Sequence, residues 1–244
     1  MGVLAGIINT LAGSGSAVTL SLLVFLGLPA NIANGTNRIG VLVQTIVGLF
    51  TFHKSGAVPT QHLPSLVIPA ILGAIAGAFL AVELPSNWLN PILGVLMIFL
   101  LILTLLKPKQ WLKEVSTPTN NINYWKNIPI FFGIGFYGGF IQAGVGILLL
   151  SALVMGLGYN LRNANGLKLA IVLGFTIPAL LLFIYHQQVN WTYGLWLAVG
   201  QSGGAWLAAN FAIHYKKSNI WIRRLLIVIL VLAIIKFFNL AALF

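Results

Sequence analysis

Leu26-Gly27-Leu28-Pro29-Ala30-Asn31-Ile32-Ala33-Asn34-Gly35 and Leu157-Gly158-Tyr159-Asn160-Leu161-Arg162-Asn163-Ala164-Asn165-Gly166 stand 131 residues apart and share Leu, Gly, Ala, Asn and Gly in register. The same offset pairs Gly13 with Gly144, Gly15 with Gly146, Thr45 with Thr176 and Gly73 with Gly204. In sequence whose main constraint is to stay apolar, such recurrence points to an internal duplication. The polar, basic stretch 107–127, with Pro108, Pro118 and an Asn pair, reads as the linker. The first repeat then covers 1–106 and the second 128–244.

The residues around these anchors set the solvent. The chain is 59% hydrophobic and 6% charged, where soluble domains are about one-quarter charged. Several stretches stay apolar for about 20 residues, enough to cross a bilayer core. Each half holds four of them: A (1–28), B (30–53), C (60–82) and D (88–106), then A′ (128–158), B′ (161–185), C′ (190–214) and D′ (219–242). No cleavage site follows a basic stretch at the N-terminus, so segment A is expected to be mature structure. The net charge of +11 comes from Lys and Arg in short loops rather than on a basic face, which fits positive-inside topology better than nucleic-acid binding. With no Cys, disulfides, thiolate metal sites and cysteine redox chemistry are excluded. There is no Asp, and both Glu residues, Glu83 and Glu114, fall in connections. That removes paired-acid hydrolysis, the His/carboxylate dyad, an all-oxygen metal cage and an acidic proton relay. An enzyme is not expected.

Segment A is interrupted by Gly13-Ser14-Gly15-Ser16 and A′ by Gly144-Val145-Gly146. Breaks at membrane depth persist only where protein buries them or where they line a cavity. Counting cations decides between crossing and doubling back. Eight crossings place six (Lys54, Lys107, Lys109, Lys113, Lys126, Lys236) against five (Arg162, Lys216, Lys217, Arg223, Arg224); re-entrant A and A′ leave Lys236 alone against the other ten. The second distribution is the positive-inside one. The expected fold is therefore an all-α polytopic membrane protein of two inverted repeats, each a broken, re-entrant helical hairpin plus three transmembrane helices. Its basic loops would face the cytoplasm of a bacterial inner (plasma) membrane.

Helix B carries Asn34, Asn37, Arg38, Gln44 and Thr45 on one stripe roughly 120° wide, and B′ repeats it with Asn165, Lys168 and Thr176. Buried cations in hydrocarbon cost about 2.5–3.5 kcal/mol on insertion scales and mark a pathway or a site. With no carboxylate available to Arg38 or Lys168, an anionic substrate is the expected partner. The half-helices starting near Ser14, Ser16, Gly144 and Gly146 would add unpaired N–H groups and positive dipole ends.

Plainer roles compete. Asn34 and Asn165 sit near helix starts and serve equally well as caps. Arg38 can snorkel along its long stem. Gly73 with Gly77, and Gly204 with Ala208, fit close helix packing. Trp88, Trp125, Trp191 and Trp221 fit an aromatic belt. His53, His62, His186 and His214 lie at helix ends, without metal-site grouping. Gln142 and Gln201 fit either interhelical bonding or substrate contact.

Gly13-Ser14-Gly15-Ser16, the string Gly27-Leu28-Pro29-Ala30-Asn31-Ile32-Ala33-Asn34-Gly35-Thr36-Asn37-Arg38 and the helical Gln44 resemble the TauE/SafE sulfite exporter family, the toluene-sulfonate uptake permease group. Gly144-x-Gly146 and Ala164-Asn165-Gly166 resemble its second repeat. Ser14, Ser16 and Val145 interrupt glycine-rich motifs that are fuller in the family. The resemblance implies a secondary carrier or facilitator for sulfite, sulfoacetate or another organosulfonate. A carrier of a different small anion, or an accessory subunit without transport, are the alternatives. Partners expected are the small anion and the lipid bilayer, with a homodimer admitted and no nucleic acid; no cofactor or metal is expected.

Overall fold

The structure, a computed structural model, describes residues 1–61, 63–105 and 124–212. All regular structure among the described residues is helical. Segment A is two helices, α1 (Gly2–Ala12) and α2 (Gly15–Phe25), each about 16 Å long and so half a bilayer core. Gly13 closes α1 with φ 75°, its N–H donating to the Ile8 and Asn9 carbonyls. This left-handed cap is cheap only for glycine. The chain then doubles back: a Cβ built on Gly15 would lie 1.9 Å from the Ala5 carbonyl oxygen.

Pro29 starts α3 (Ala30–Lys54), where a missing N–H costs nothing. Helices α4 (Leu63–Glu83) and α5 (Ser86–Leu105) complete the first half. In the second half, α6 (Tyr124–Phe140) is followed by Gly144 at φ 70° and then by α7 (Val145–Ser151), which runs into a π-helical turn, Ala152–Gly156. Asn160 caps α8 (Leu161–Tyr185) by accepting from the Asn163 N–H at 2.8 Å, and α9 is Trp191–Ala212. By length and composition, α4 and α8 are helices that can cross a membrane. Most of the expected linker 107–127, segment D′ (219–242), His62, His214, Trp221 and the cations Lys216, Lys217, Arg223, Arg224 and Lys236 lie outside the described residues.

Glycines let helix backbones touch, and the touching repeats itself. Between α4 and α6, a Cβ on Gly73 would lie 2.1 Å from the Phe132 oxygen and one on Gly135 2.1 Å from the Ala70 oxygen. Between α9 and α1, the corresponding distances are 2.1 Å from Gly204 to the Val3 oxygen and 2.2 Å from Gly6 to the Gln201 oxygen. Gly73 and Gly204 thus do pack helices, as small residues do in bilayers. A third pair joins loops to helices: Gly35 against the Gln188 oxygen at 2.0 Å, Gly166 against the Ala57 oxygen at 2.4 Å. The two breaks meet each other, with a Cβ on Gly13 only 2.4 Å from the Gly146 carbonyl carbon.

The distribution of polarity is the reverse of a water-soluble bundle. Ser14, Ser16, Thr19, Asn37, Arg38, Gln44 and Lys168 are buried, whereas Ile68, Leu72 and Phe79 on α4, Leu181 on α8 and Trp196 and Val199 on α9 are exposed. Apolar surface of this extent faces hydrocarbon or a partner, not water.

Candidate functional site

Arg38 and Lys168 sit about two turns inside α3 and α8 and are 0% and 2% exposed. Both point at the ends of the broken helices. Lys168 Nζ donates to the Asn9 carbonyl at 3.1 Å, the Thr10 carbonyl at 2.8 Å and Asn165 Oδ1 at 2.8 Å. Arg38 Nη1 donates to the Gly138 carbonyl at 3.2 Å and Nη2 to the Gly139 carbonyl, with the guanidinium 4.5 Å from the Phe183 ring centroid. The last four carbonyls of a helix lack intrahelical donors and carry its negative dipole end. Each cation therefore neutralises the C-terminal end of a half-helix. In a chain with no carboxylate to offer them, backbone oxygens partner both cations. Arg38 does not snorkel.

Asn9, Ser16, Val41, Thr45, Gln142, Val145, Gly146, Lys168, Leu169 and Val172 enclose a cavity between the two breaks. Its volume is ≈ 10 Å³, room for about one water molecule. Ser16 Oγ spans the breaks, donating to the Gln142 carbonyl at 2.9 Å and accepting from the Gly144 N–H at 3.3 Å. Gln142 Nε2 donates to Thr176 Oγ1 at 2.6 Å, leaving Gln142 Oε1 buried without a partner. Thr45 donates within its own helix to the Val41 carbonyl at 2.8 Å.

Of the residues singled out from sequence, Ser16, Thr45, Gln142, Gly146 and Lys168 line this cavity. Gln44, Gly144, Asn165 and Thr176 stand behind it: Gln44 accepts from Asn9 at 3.1 Å, and Asn165 and Thr176 hold Lys168 and Gln142 as described. The others lie elsewhere. Asn37 clamps α3 onto α2, accepting from Thr19 Oγ1 and donating to the Ser16 carbonyl at 3.3 Å. Asn34 donates to the Phe140 carbonyl at 2.7 Å, and its Oδ1 is buried without a partner. Ser14 Oγ is likewise buried without a partner. Neither Asn34 nor Asn165 is a cap, since Pro29 and Asn160 hold those positions. Asn9 and Thr10 escaped the sequence reading. Their signal was a polar pair within an apolar segment, placed just before a Gly break.

A profile of the sulfite exporter TauE/SafE family matches residues 1–237. Relatives named "probable membrane transporter protein" include ORF9 of Sinorhizobium sp, 27% identical over 86% of this chain and 80% of its own. The Haemophilus influenzae relative is 26% identical over 90% and 86%, and YfcA of Escherichia coli K12 is 27% identical over 93% and 82%. No solved structure matches. These names point to a membrane transporter rather than an enzyme. With two broken helices meeting at a buried polar cavity, an apolar exterior, and a match over nearly its whole length, the chain belongs to the sulfite exporter TauE/SafE family.

Proposed function

We propose that this protein is a secondary carrier or facilitator for a small sulfur-containing anion such as sulfite, sulfoacetate or another organosulfonate. The carrying observation is the cavity between the breaks, walled by an ammonium, two hydroxyls and two amides in a chain with no Asp. First-turn N–H groups of half-helices add anion-binding donors. The enclosed space is far smaller than a hydrated oxyanion, so substrate entry requires the hairpins to part from α3 and α8.

Two inverted repeats are the architecture proposed for this motion, with the hairpins re-entrant and the basic loops cytoplasmic in a bacterial inner membrane. The support is reciprocity: Gly73 meets Phe132 as Gly204 meets Val3, and Gly35 meets Gln188 as Gly166 meets Ala57. Two-fold related units make this kind of exchanged contact. Alternating access then follows from rocking one repeat on the other around the shared cavity. Purified protein in liposomes with labelled sulfite tests the function. Saturable uptake above empty liposomes is expected; its absence for every sulfur oxyanion tried would favour an accessory role.

A further inference from the structure

Lys168 has spent its donors. An ammonium carries three N–H bonds, and here all three go to protein oxygens: the Asn9 and Thr10 carbonyls and Asn165 Oδ1. Those distances, 2.8–3.1 Å, are ordinary for N–H···O. Two of the oxygens are terminal carbonyls of α1, oriented by the break at Gly13 and held there whatever side chain occupies position 168. A further oxygen, Thr10 Oγ1, is buried without a partner on one of the same residues. Such a set of neutral oxygens at the negative end of a helix dipole is the chemistry of a monovalent cation site. No carboxylate among the described residues approaches it, so nothing in the set calls for a divalent ion.

We infer that the oxygens of Asn9, Thr10 and Asn165 form a monovalent-cation seat and that Lys168 fills it as a tethered cation. The seat repeats in part on the other side, where Arg38 covers the Gly138 and Gly139 carbonyls. Lys168 is then a positioning residue. It locks the end of α1 to α8 and holds positive charge at the cavity wall, while hydrogen bonding to the anion falls to Ser16, Thr45, Gln142 and the first-turn N–H groups. A free coupling cation has no place to bind here while the lysine is seated. The inference deepens the proposed carrier role, on which its transport consequence rests, but the seat can be read out without any anion.

The test uses the full-length chain with Lys168→Ala, which empties the seat and opens a path to it, and Lys168→Met, which keeps the apolar stem and removes only the charge. Thermal unfolding in detergent is followed in choline, lithium, sodium, potassium, ammonium and methylammonium chlorides at equal ionic strength. Lys168→Ala is expected to melt lower than wild type in choline and to recover most of the loss, saturably, in ammonium or potassium. Lithium should do least, because the seat is spaced for an ion of ammonium size. Wild type should show no such selectivity. Lys168→Met should recover less than Lys168→Ala, its stem blocking the approach. If Lys168→Ala gives no monodisperse peak in choline, extraction in ammonium becomes the readout: return of the peak supports the seat. Absence of selective rescue by every cation, in melting or in extraction, overturns it. Sulfite flux is measured separately in wild type. Its absence would defeat the carrier assignment and leave the melting result standing.

Discussion

Arg162, on the first turn of α8, donates from Nη2 to the backbone carbonyl of Ser55, the residue that closes α3, at 2.6 Å. The end of α3 and the start of α8 therefore lie at one end of the molecule. Eight full crossings would put Ser55 after two passes and Arg162 after five, on opposite faces. Hairpins at α1–α2 and α6–α7 put them after one and three, on the same face. Lys54 and Arg162 both sit at this end, and under the proposed topology the positive-inside rule makes the cytoplasm its expected side. The chain has no Cys, so single cysteines at Gly56 and Asn160 report sidedness directly. Both should resist an impermeant maleimide added to intact cells and react after permeabilisation. Labelling from opposite sides would reject the arrangement.

Thr45 offers a clean test of the cavity. Its hydroxyl bonds only to carbonyls of its own helix, at Val41 and Leu42, so Thr45→Val leaves no newly orphaned interhelical group. Stability should change by less than about 1 kcal/mol. Sulfite affinity, by calorimetry, should weaken by roughly fivefold, the loss of one hydrogen bond worth about 1 kcal/mol. Wild-type affinity in the folded variant removes Thr45 from the ligand set.

Arg38 is expected to govern stability rather than affinity. Its two arms reach consecutive carbonyls on α6, it stacks on Phe183, and it does not line the cavity. An ammonium in place of the planar fork cannot reproduce that geometry. Arg38→Lys should cost about 1–3 kcal/mol, measured by chemical denaturation, for the carbonyl left unpaired. The dissociation constant for sulfite should move less than threefold. A tenfold weakening without loss of stability would restore Arg38 as a direct ligand.

The glycine contacts predict a paired sensitivity. Gly6→Ala and Gly135→Ala would each drive a methyl into a carbonyl oxygen of the facing helix, at 2.2 and 2.1 Å. Overpacking against backbone costs about 1–3 kcal/mol or more. Gly133→Ala, two residues before Gly135 and on another face of α6, with nothing within 4 Å of its Cβ, should be silent. Thermal melting of the three variants is the measurement, and equal behaviour would refute the close contact.

Gln187 holds φ 56° in the turn between α8 and α9, while its counterpart one repeat earlier, Gly56, holds φ 69°. The left-handed region costs a residue with a Cβ about 1–2 kcal/mol. Gln187→Gly relieves that cost, partly offset by greater freedom of the unfolded chain. A net gain of about 0.5–1 kcal/mol in denaturant stability is expected, and a loss would show that the Gln187 side chain makes a contact worth more than the strain.

Much of this was written in local sequence. Eight apolar runs, the Gly-x-Gly breaks and the polar stripes on segments B and B′ follow from composition and period, because bilayer thickness sets helix length and glycine weakens a helix wherever it falls. The stripe alone placed Arg38 and Lys168 on one face with Asn and Thr, and the structure buries both. Which group each cation meets was decided only by tertiary structure. A terminal carbonyl is chemically identical in every residue, so no side-chain pattern announces that Asn9, Thr10, Gly138 and Gly139 present theirs to a cation; the left-handed turn at Gly13 and the approach of α8 to α1 create that partner. For the same reason Ser16 and Lys168 came to line one cavity while Arg38, the cation of the other polar stripe, was drawn away to α6. Helix period fixes which face a residue occupies, but the distance between faces depends on backbones brought together by glycines far apart in the chain.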